Sequence, residues 1–305
     1  MKILVTGGAG FIGSHVVDSF IAAGHDVAVV DDLSTGRRAN LDPRAAFYEI
    51  DLRTPDLRRV FERERPEVVS HHAAQVDVRR SMADPTFDAS VNVLGALNLL
   101  ECAHQFGTRK MVYISSGGAV YGEPEALPCT EEHPIRPLSP YGASKYIVEK
   151  YLSIYRENYH LDYTILRYAN VYGPRQDPHG EAGVVALFVG AMLSGTQPVI
   201  FGDGEQTRDF VYVGDCARAN LLALGRGSGR AYNIGTGAEA SINHLAALLK
   251  EITGYDGRVA YDLPKAGDVY RTYLDVNRAR EELGWTPTVS LEDGLRRTVA
   301  HFRET

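Results

Sequence analysis

The chain has 305 residues, enough for one large or two interlocked domains, and its 44% hydrophobic and 23% charged content is ordinary for a soluble globular enzyme. A formal charge of −7 argues against nucleic acid as the main partner, because a phosphate-reading surface is usually basic. No apolar run approaches the roughly 18 residues that mark a membrane span, and three scattered cysteines (Cys102, Cys129, Cys216) fit reduced thiols in a cytoplasmic compartment.

The first 32 residues organise the rest. Lys2 to Val5 predict a short strand that starts at the chain terminus, which leaves no room for a signal peptide. Gly7, Gly10 and Gly13 follow at spacings of three and open into a helix whose apolar face is Val16, Val17, Phe20 and Ile21. Gly24 closes that helix and Asp26 to Val30 supply a second strand. A G-x-x-G-x-x-G run inside a β-α-β unit of about 30 residues has the context of a dinucleotide site. Glycines let a pyrophosphate approach the first helical turn, where unpaired N–H groups and the helix dipole neutralise it. Asp31, at the end of the second strand, is placed to accept from both ribose hydroxyls; a carboxylate there repels a 2′-phosphate, so NAD is expected rather than NADP.

A polar loop continues through Asp32, Ser34, Thr35 and Gly36, and a third strand, Phe47 to Ile50, leads to Asp51 and Leu52. Asp51 and Leu52 fit an adenine clamp, carboxylate on the exocyclic amine and aliphatic side chain on the ring; an N-cap before Leu57 is the rival reading. The next strand, Glu67 to Ser70, ends in His71-His72-Ala73-Ala74-Gln75, where small residues let backbone approach a cofactor closely. The adjacent histidines do not make a metal site, because neighbouring side chains point apart and no third ligand is near. A long helix over Phe87 to Phe106 is predicted, with Val91, Leu94, Leu97 and Leu100 as its buried stripe. Asn92 lies on or near that face, as a cofactor contact or as a structural hydrogen-bonder.

The strand Met111 to Ile114 runs into Ser115-Ser116-Gly117-Gly118-Ala119-Val120-Tyr121-Gly122, and after a proline-rich loop a helix begins at Tyr141. Tyr141 and Lys145 are four apart and share one helical face. An ammonium beside a phenol favours phenolate and is expected to lower its pKa from about 10 toward the working range, making a general base for an alcohol about to lose hydride. Asp162 to Arg167 predict another strand. Helices over Val184 to Leu193, Cys216 to Leu224, Ile242 to Ile252 and Leu291 to Phe302 then alternate with short strands, and Arg175, Arg208 and Arg271 are candidates for a diphosphate.

Several stretches together carry a resemblance: Thr6 to Gly13, His72 to Gln75, Ser115-Ser116, Tyr141 to Lys145, Arg167 to Arg175, Gly202 to Val213 and Tyr232 to Gly235. With these the chain resembles an extended short-chain dehydrogenase/reductase of the nucleotide-sugar epimerase branch over essentially its full length. The resemblance implies an α/β fold: a Rossmann-type doubly wound parallel sheet (residues 1–170) and a smaller α/β substrate domain (171–305) with segments returning to the first. It implies NAD held throughout turnover, a UDP-sugar substrate, inversion at C4 of a UDP-hexose, and a homodimer through the Leu94 and Leu152 helices. It places Gly7, Gly10, Phe11, Ile12, Gly13, Asp31, Asp32, Ser34, Thr35, Gly36, Asp51, Leu52, Ala73, Ala74, Gln75, Asn92, Ser115, Tyr141, Lys145 and Tyr168 around the cofactor. The substrate would meet Ser116, Gly117, Tyr141, Asn170, Gly183, Val184, Val185, Val199, Phe201, Arg208, Lys265 and Asp268, with Lys265 standing where the family more often has arginine.

Two departures bear on the chemistry. Family members usually carry a threonine or serine at the position of Gly117, so either Ser116 substitutes for that hydroxyl or Tyr141 acts directly. Dehydratases of the family carry an Asp-Glu pair where Gly118 and Ala119 stand, so elimination has no acid or base here. In the family a residue before Leu274-Asp275 limits bulk near the sugar's C2 group; counting from Gly267-Asp268 places Thr272 there, so the resemblance implies room for N-acetyl sugars. UDP-glucuronate, a net NAD-dependent dehydrogenase, and an NAD-sensing protein without catalysis are the alternatives.

Overall fold

The computed structural model describes residues 1–178, 183–264 and 269–304. The opening unit is β1 (Lys2–Thr6), α1 (Phe11–Ala22) and β2 (Asp26–Asp31), with Gly24 in the left-handed region just past the helix as expected of a terminator. Next come β3 (Ala46–Glu49), α2 (Leu57–Glu64), β4 (Val68–His71), α3 (Val78–Ala83), α4 (Pro85–Ala89) and α5 (Gly95–Gln105). Then follow β5 (Lys110–Ser116), α6 (Gly117–Val120), α7 (Pro140–Tyr159) and β6 (Asp162–Tyr168). The remainder alternates β7 (Asn170–Tyr172), α8 (Val184–Leu193), β8 (Val199–Phe201), β9 (Thr207–Arg208), β10 (Phe210–Tyr212), α9 (Val213–Ala223) and β11 (Arg230–Ile234). It closes with β12 (Ala240–Ser241), α10 (Ile242–Thr253), β13 (Ala260–Asp262) and α11 (Leu291–Glu304).

Seven parallel strands form one sheet in the order β11-β6-β5-β4-β1-β2-β3, the doubly wound arrangement. Both faces are covered, so the strands are near-continuous aliphatic runs whose alternate residues serve different cores. Ile3, Val5, Val27 and Val29 face α1 and α9, together with Trp285; Leu4, Ala28 and Val30 face α2, α5 and α7. The chain beyond residue 170 therefore contributes a strand and a helix to the first sheet. The rest builds a separate core around Tyr172, Phe188, Phe210, Leu245 and Leu295.

One predicted element differs. The helix over Phe87 to Phe106 starts earlier, at Pro85 with Asp84 as N-cap, and is interrupted by a π-turn at Ser90–Leu94. A π-turn holds one more residue than an α-turn, so the faces downstream rotate. Asn92, Ala96, Leu99, Leu100 and Ala103 become the buried stripe, while Leu94 is turned out to 60% exposure. Leu152 itself is buried in the chain's own core, while Ile147 and Ile154 of the same helix are exposed. Asp51 is no N-cap either: Asp56 precedes α2, and Asp51 instead accepts from the backbone and side chain of Arg53.

Candidate active site

Because all seven strands are parallel, their carboxyl ends share one edge, and the predicted site residues collect there. Gly7 follows β1 with φ +67°, and a Cβ on it would lie 2.5 Å from the Ala73 nitrogen. A Cβ on Gly13 would overlap the Gly7 carbonyl oxygen. Gly10 caps α1 with no side chain bonded to the first-turn N–H groups and no acidic residue in that turn; Phe11 and Ile12 begin the helix. The result is a bare, positively polarised cradle that fits a pyrophosphate.

Asp31 sits beside it, accepting from the Ala9 N–H (2.9 Å) and Leu33 N–H (2.9 Å). Burial pushes its carboxyl up, and the two backbone hydrogen bonds oppose the shift. Gly36 packs against the Asp31 carboxylate, and Asp32 forms a turn with the Ser34 N–H and hydroxyl, so Thr35 lies in a loop bent over the carboxylate. Leu52 is buried against α2 and α5, and Asp51 is held by Arg53. His71 bonds Thr6 Oγ1 at 2.7 Å and His72 bonds Ser70 Oγ at 2.9 Å. Burial drives His72 down to about 3 and His71 well below its usual range, so both rings are neutral.

Ala73 and Ala74 lead to Gln75, whose backbone is clamped by Asn92: Gln75 N–H donates to Asn92 Oδ1 (2.8 Å) and Asn92 Nδ2 donates to the Gln75 carbonyl (2.9 Å). The second Nδ2 hydrogen goes to Asp88 (3.0 Å). Asn92 thus spends its amide on the loop after β4. Ser115 donates to Glu149 (2.6 Å), which also forms a buried bidentate pair with Arg167. Tyr168 is buried with its hydroxyl taken by Asn220.

Ser139 caps α7 by accepting from Gly142 N–H, and Pro140 takes the first position, which places Tyr141 in the first turn. The Ser116 hydroxyl stands beside the Tyr141 phenol and favours its ionised form. Lys145 Nζ lies 5.9 Å from the Tyr141 ring centroid and donates to the Ile114 carbonyl at 3.0 Å. Tyr141, Lys145 and Glu149 recur every four residues on the same face, a spacing that could have singled out Glu149 in advance. The expected lowering of the phenol is not what the side chains produce. Burial pushes Tyr141 up to about 12, with the Ser116 hydroxyl opposing, and burial lowers Lys145 to about 8. The lysine charge is turned to a carbonyl instead of the phenol oxygen.

Beside Ser116, a narrow crevice is lined by Gly118, Ala169, Asn170, Asp209, Thr272, Tyr273 and Leu274. A Cβ on Gly117 would lie 2.7 Å from Leu274 Cδ1, so Leu274 fills the place where a side chain at 117 would project. Asp209 knits this wall by accepting from Thr236 N–H (2.7 Å), Gly237 N–H (3.2 Å) and Leu274 N–H (3.3 Å). Gly183 caps α8; Val184 is half-buried, Val185 points into the second core, Val199 is 39% exposed and Phe201 is half-buried on β8. Arg208 donates to the Thr207 carbonyl. The other two arginine candidates are drawn elsewhere, Arg271 by Glu239 (2.5 Å) and Arg175 by Asp18 of α1 (2.8 Å). Lys265 and Asp268 lie outside the described residues.

A dinucleotide cradle beside a buried tyrosine–lysine pair defines a short-chain dehydrogenase/reductase-type site. Residues 3–235 match the NAD dependent epimerase/dehydratase family, and the chain belongs to it. It is similar to the UDP-glucose 4-epimerase of Thermotoga maritima, solved with UDP-glucose: 52% identity, TM-score 0.98, covering 100% of this chain and 99% of that one. The UDP-glucose 4-epimerase of Thermus thermophilus, solved with NAD, gives 46% identity and TM-score 0.94 with 99% of each chain covered. The UDP-glucose 4-epimerase of Mycolicibacterium smegmatis is 48% identical, again over 99% of each chain.

Proposed function

We propose that this chain is an NAD-dependent epimerase that inverts C4 of a UDP-hexose, interconverting UDP-glucose and UDP-galactose through a transient 4-keto sugar. The observation that carries the reading is the Ser116–Tyr141–Lys145 cluster at the edge that also bears the glycine cradle. Residues 1–170 form the cofactor domain, and 171–305 mainly the substrate domain. The cradle from Gly7 to Gly13, Asp31 with its loop, Leu52 and the Ala73–Gln75 segment hold NAD. NAD held there would supply a hydride acceptor and donor at C4, and the positive charge of its nicotinamide would oppose the burial that raises the phenol. Tyr141 removes the 4-hydroxyl proton and gives it back, with Ser116 as the hydroxyl that relays it. Lys145 supplies positive charge behind the phenol. Arg208 anchors the diphosphate while the keto sugar turns, and the α8 N-terminus with β8 receives the nucleotide base. Gly118 and Ala119 offer no acid or base for elimination, which favours epimerisation over dehydration.

Purified protein incubated with UDP-galactose is expected to yield a UDP-glucose/UDP-galactose equilibrium without stoichiometric NADH. Net NADH release would replace the epimerase with a dehydrogenase. Thr272 is small and lines the crevice, so UDP-N-acetylglucosamine is expected to turn over in the same panel. Complete inertness toward it beside active UDP-galactose conversion would refute that part.

Gly117→Ser is expected to reduce activity, because its side chain must displace Leu274; overpacking of this kind costs about 1–3 kcal/mol. Adding Leu274→Ala should recover the melting temperature, and a double variant no more stable than the single would contradict the steric account. The chain is further inferred to work as a cytoplasmic homodimer. Leu94, Ile147 and Ile154 are exposed on the helices expected at the interface, and the three cysteines are free and buried. A single-chain native mass would exclude the dimer. No helix among the described residues is long and apolar enough to cross a membrane.

A further inference from the structure

Asp88 in α4 is fully buried, and its carboxylate accepts three hydrogen bonds from three separate segments. Gln75 Nε2 donates at 2.9 Å from the loop after β4, Asn92 Nδ2 at 3.0 Å from the π-turn, and Ser144 Oγ at 2.6 Å from α7, next to Lys145 in sequence. All three partners are donors, the arrangement an ionised carboxylate takes. Among the described residues Asp88 has no ion-pair partner within contact distance. A buried carboxylate held by neutral donors is stabilised further by any cation whose field reaches it.

The surrounding groups leave one candidate. Asp88 acts on Tyr141 and Lys145 of α7 and on Tyr113 of β5, and Lys145 in turn acts on His71 and His72 of β4 and is acted on by Glu149 of α7, which pairs with Arg167 of β6. Glu149 is matched by Arg167. Both histidines are neutral, and burial holds Tyr113 protonated. The α3 arginines Arg79 and Arg80 are exposed, the second stacked on Phe87 at 4.0 Å. Lys145 remains: it donates to the neutral Ile114 carbonyl and feels the charges of both Asp88 and Glu149, of which Glu149 is already matched by Arg167.

We propose that Asp88 is a positioning residue for the reaction: its buried carboxylate is the countercharge of Lys145 and, through Gln75 and Ser144, joins the loop after β4 to the helix that carries Tyr141. The negative charge keeps the lysine protonated and the phenol reluctant to ionise before substrate arrives. The three hydrogen bonds keep two walls of one site in register. The proposal rests on the epimerase reading. Wild-type protein that converts no UDP-sugar ends that reading, whereas the comparisons below, made on active enzyme or on stability alone, address Asp88.

The substitution Asp88→Asn keeps shape and removes charge. With one negative charge gone, Tyr141 and Lys145 both become more acidic, so both limbs of the pH profile of kcat/KM are expected to move to lower pH by roughly one unit. Misregistration of the two walls should lower kcat about 10-fold or more. Ser144→Ala breaks one hydrogen bond but leaves the charge, so it should slow the reaction with both limbs in place. Limbs that stay put in Asp88→Asn overturn the countercharge. A readout free of catalysis is the melting temperature of Lys145→Met with and without Asp88→Asn. Removing the cation strands the carboxylate, so the double variant is expected to melt above the Lys145→Met single. A double variant that melts below the single overturns the pairing, whatever Asp88→Asn does alone.

Discussion

Tyr141→Phe is expected to lower UDP-galactose conversion by about 10³-fold while leaving NAD binding and the fold intact. The phenyl ring keeps its place on the first turn of α7 and its 5.9 Å distance from Lys145 Nζ; only the phenol oxygen beside Ser116 is lost. The wild-type pH profile follows from the two shifts. The base must be deprotonated, and burial has pushed it up toward about 12, so the rate rises with pH across the neutral range. The lysine must be charged, and burial has lowered it to about 8, so that support fades at higher pH. The variant should lose the rising limb. A Tyr141→Phe protein that retains both rate and limb would remove the tyrosine from the chemistry and leave Ser116 as the base to test.

Gly13→Ala is expected to weaken NAD binding by at least about 100-fold, near 3 kcal/mol. The added Cβ would overlap the Gly7 carbonyl oxygen, a backbone atom that cannot swing aside as a side-chain tip would. Gly7 cannot retreat either: it is in the left-handed region with the Ala73 backbone standing where its Cβ would be, and its N–H is bonded to the Val30 carbonyl at 2.8 Å. Either the cradle opens or α1 moves off its strand. Calorimetric titration of NAD into wild type and variant, with circular dichroism to confirm folding, reads the effect. Equal affinities would show that the three-spaced glycines serve packing alone.

Both sites of change are legible in local sequence, whereas the arginine candidates are not. Gly7, Gly10 and Gly13 announce themselves because spacing, strand and helix lie within about 30 residues, and local backbone geometry is all the cradle needs. Tyr141 and Lys145 are visible for the same reason, since four residues of α-helix set their shared face. Arg175, Arg208 and Arg271 look alike in the chain, yet Asp18 and Glu239 hold two of them. A guanidinium's partner depends on which distant carboxylate the fold brings near.

The order and type of the main strands and helices, the dinucleotide turn and the tyrosine–lysine face were written in local pattern, because they depend on periods of two and 3.6 residues and on glycine's freedom. What only folding decided is long-range. The π-turn rotates Asn92 inward and Leu94 outward. The lysine ammonium is directed to the Ile114 carbonyl. Leu274 fills the space above Gly117, and Asp88 meets Gln75 and Ser144 from positions 13 and 56 residues away. Such contacts are set by the packing of whole elements and by the cost of burying charge, neither of which any short window of sequence contains.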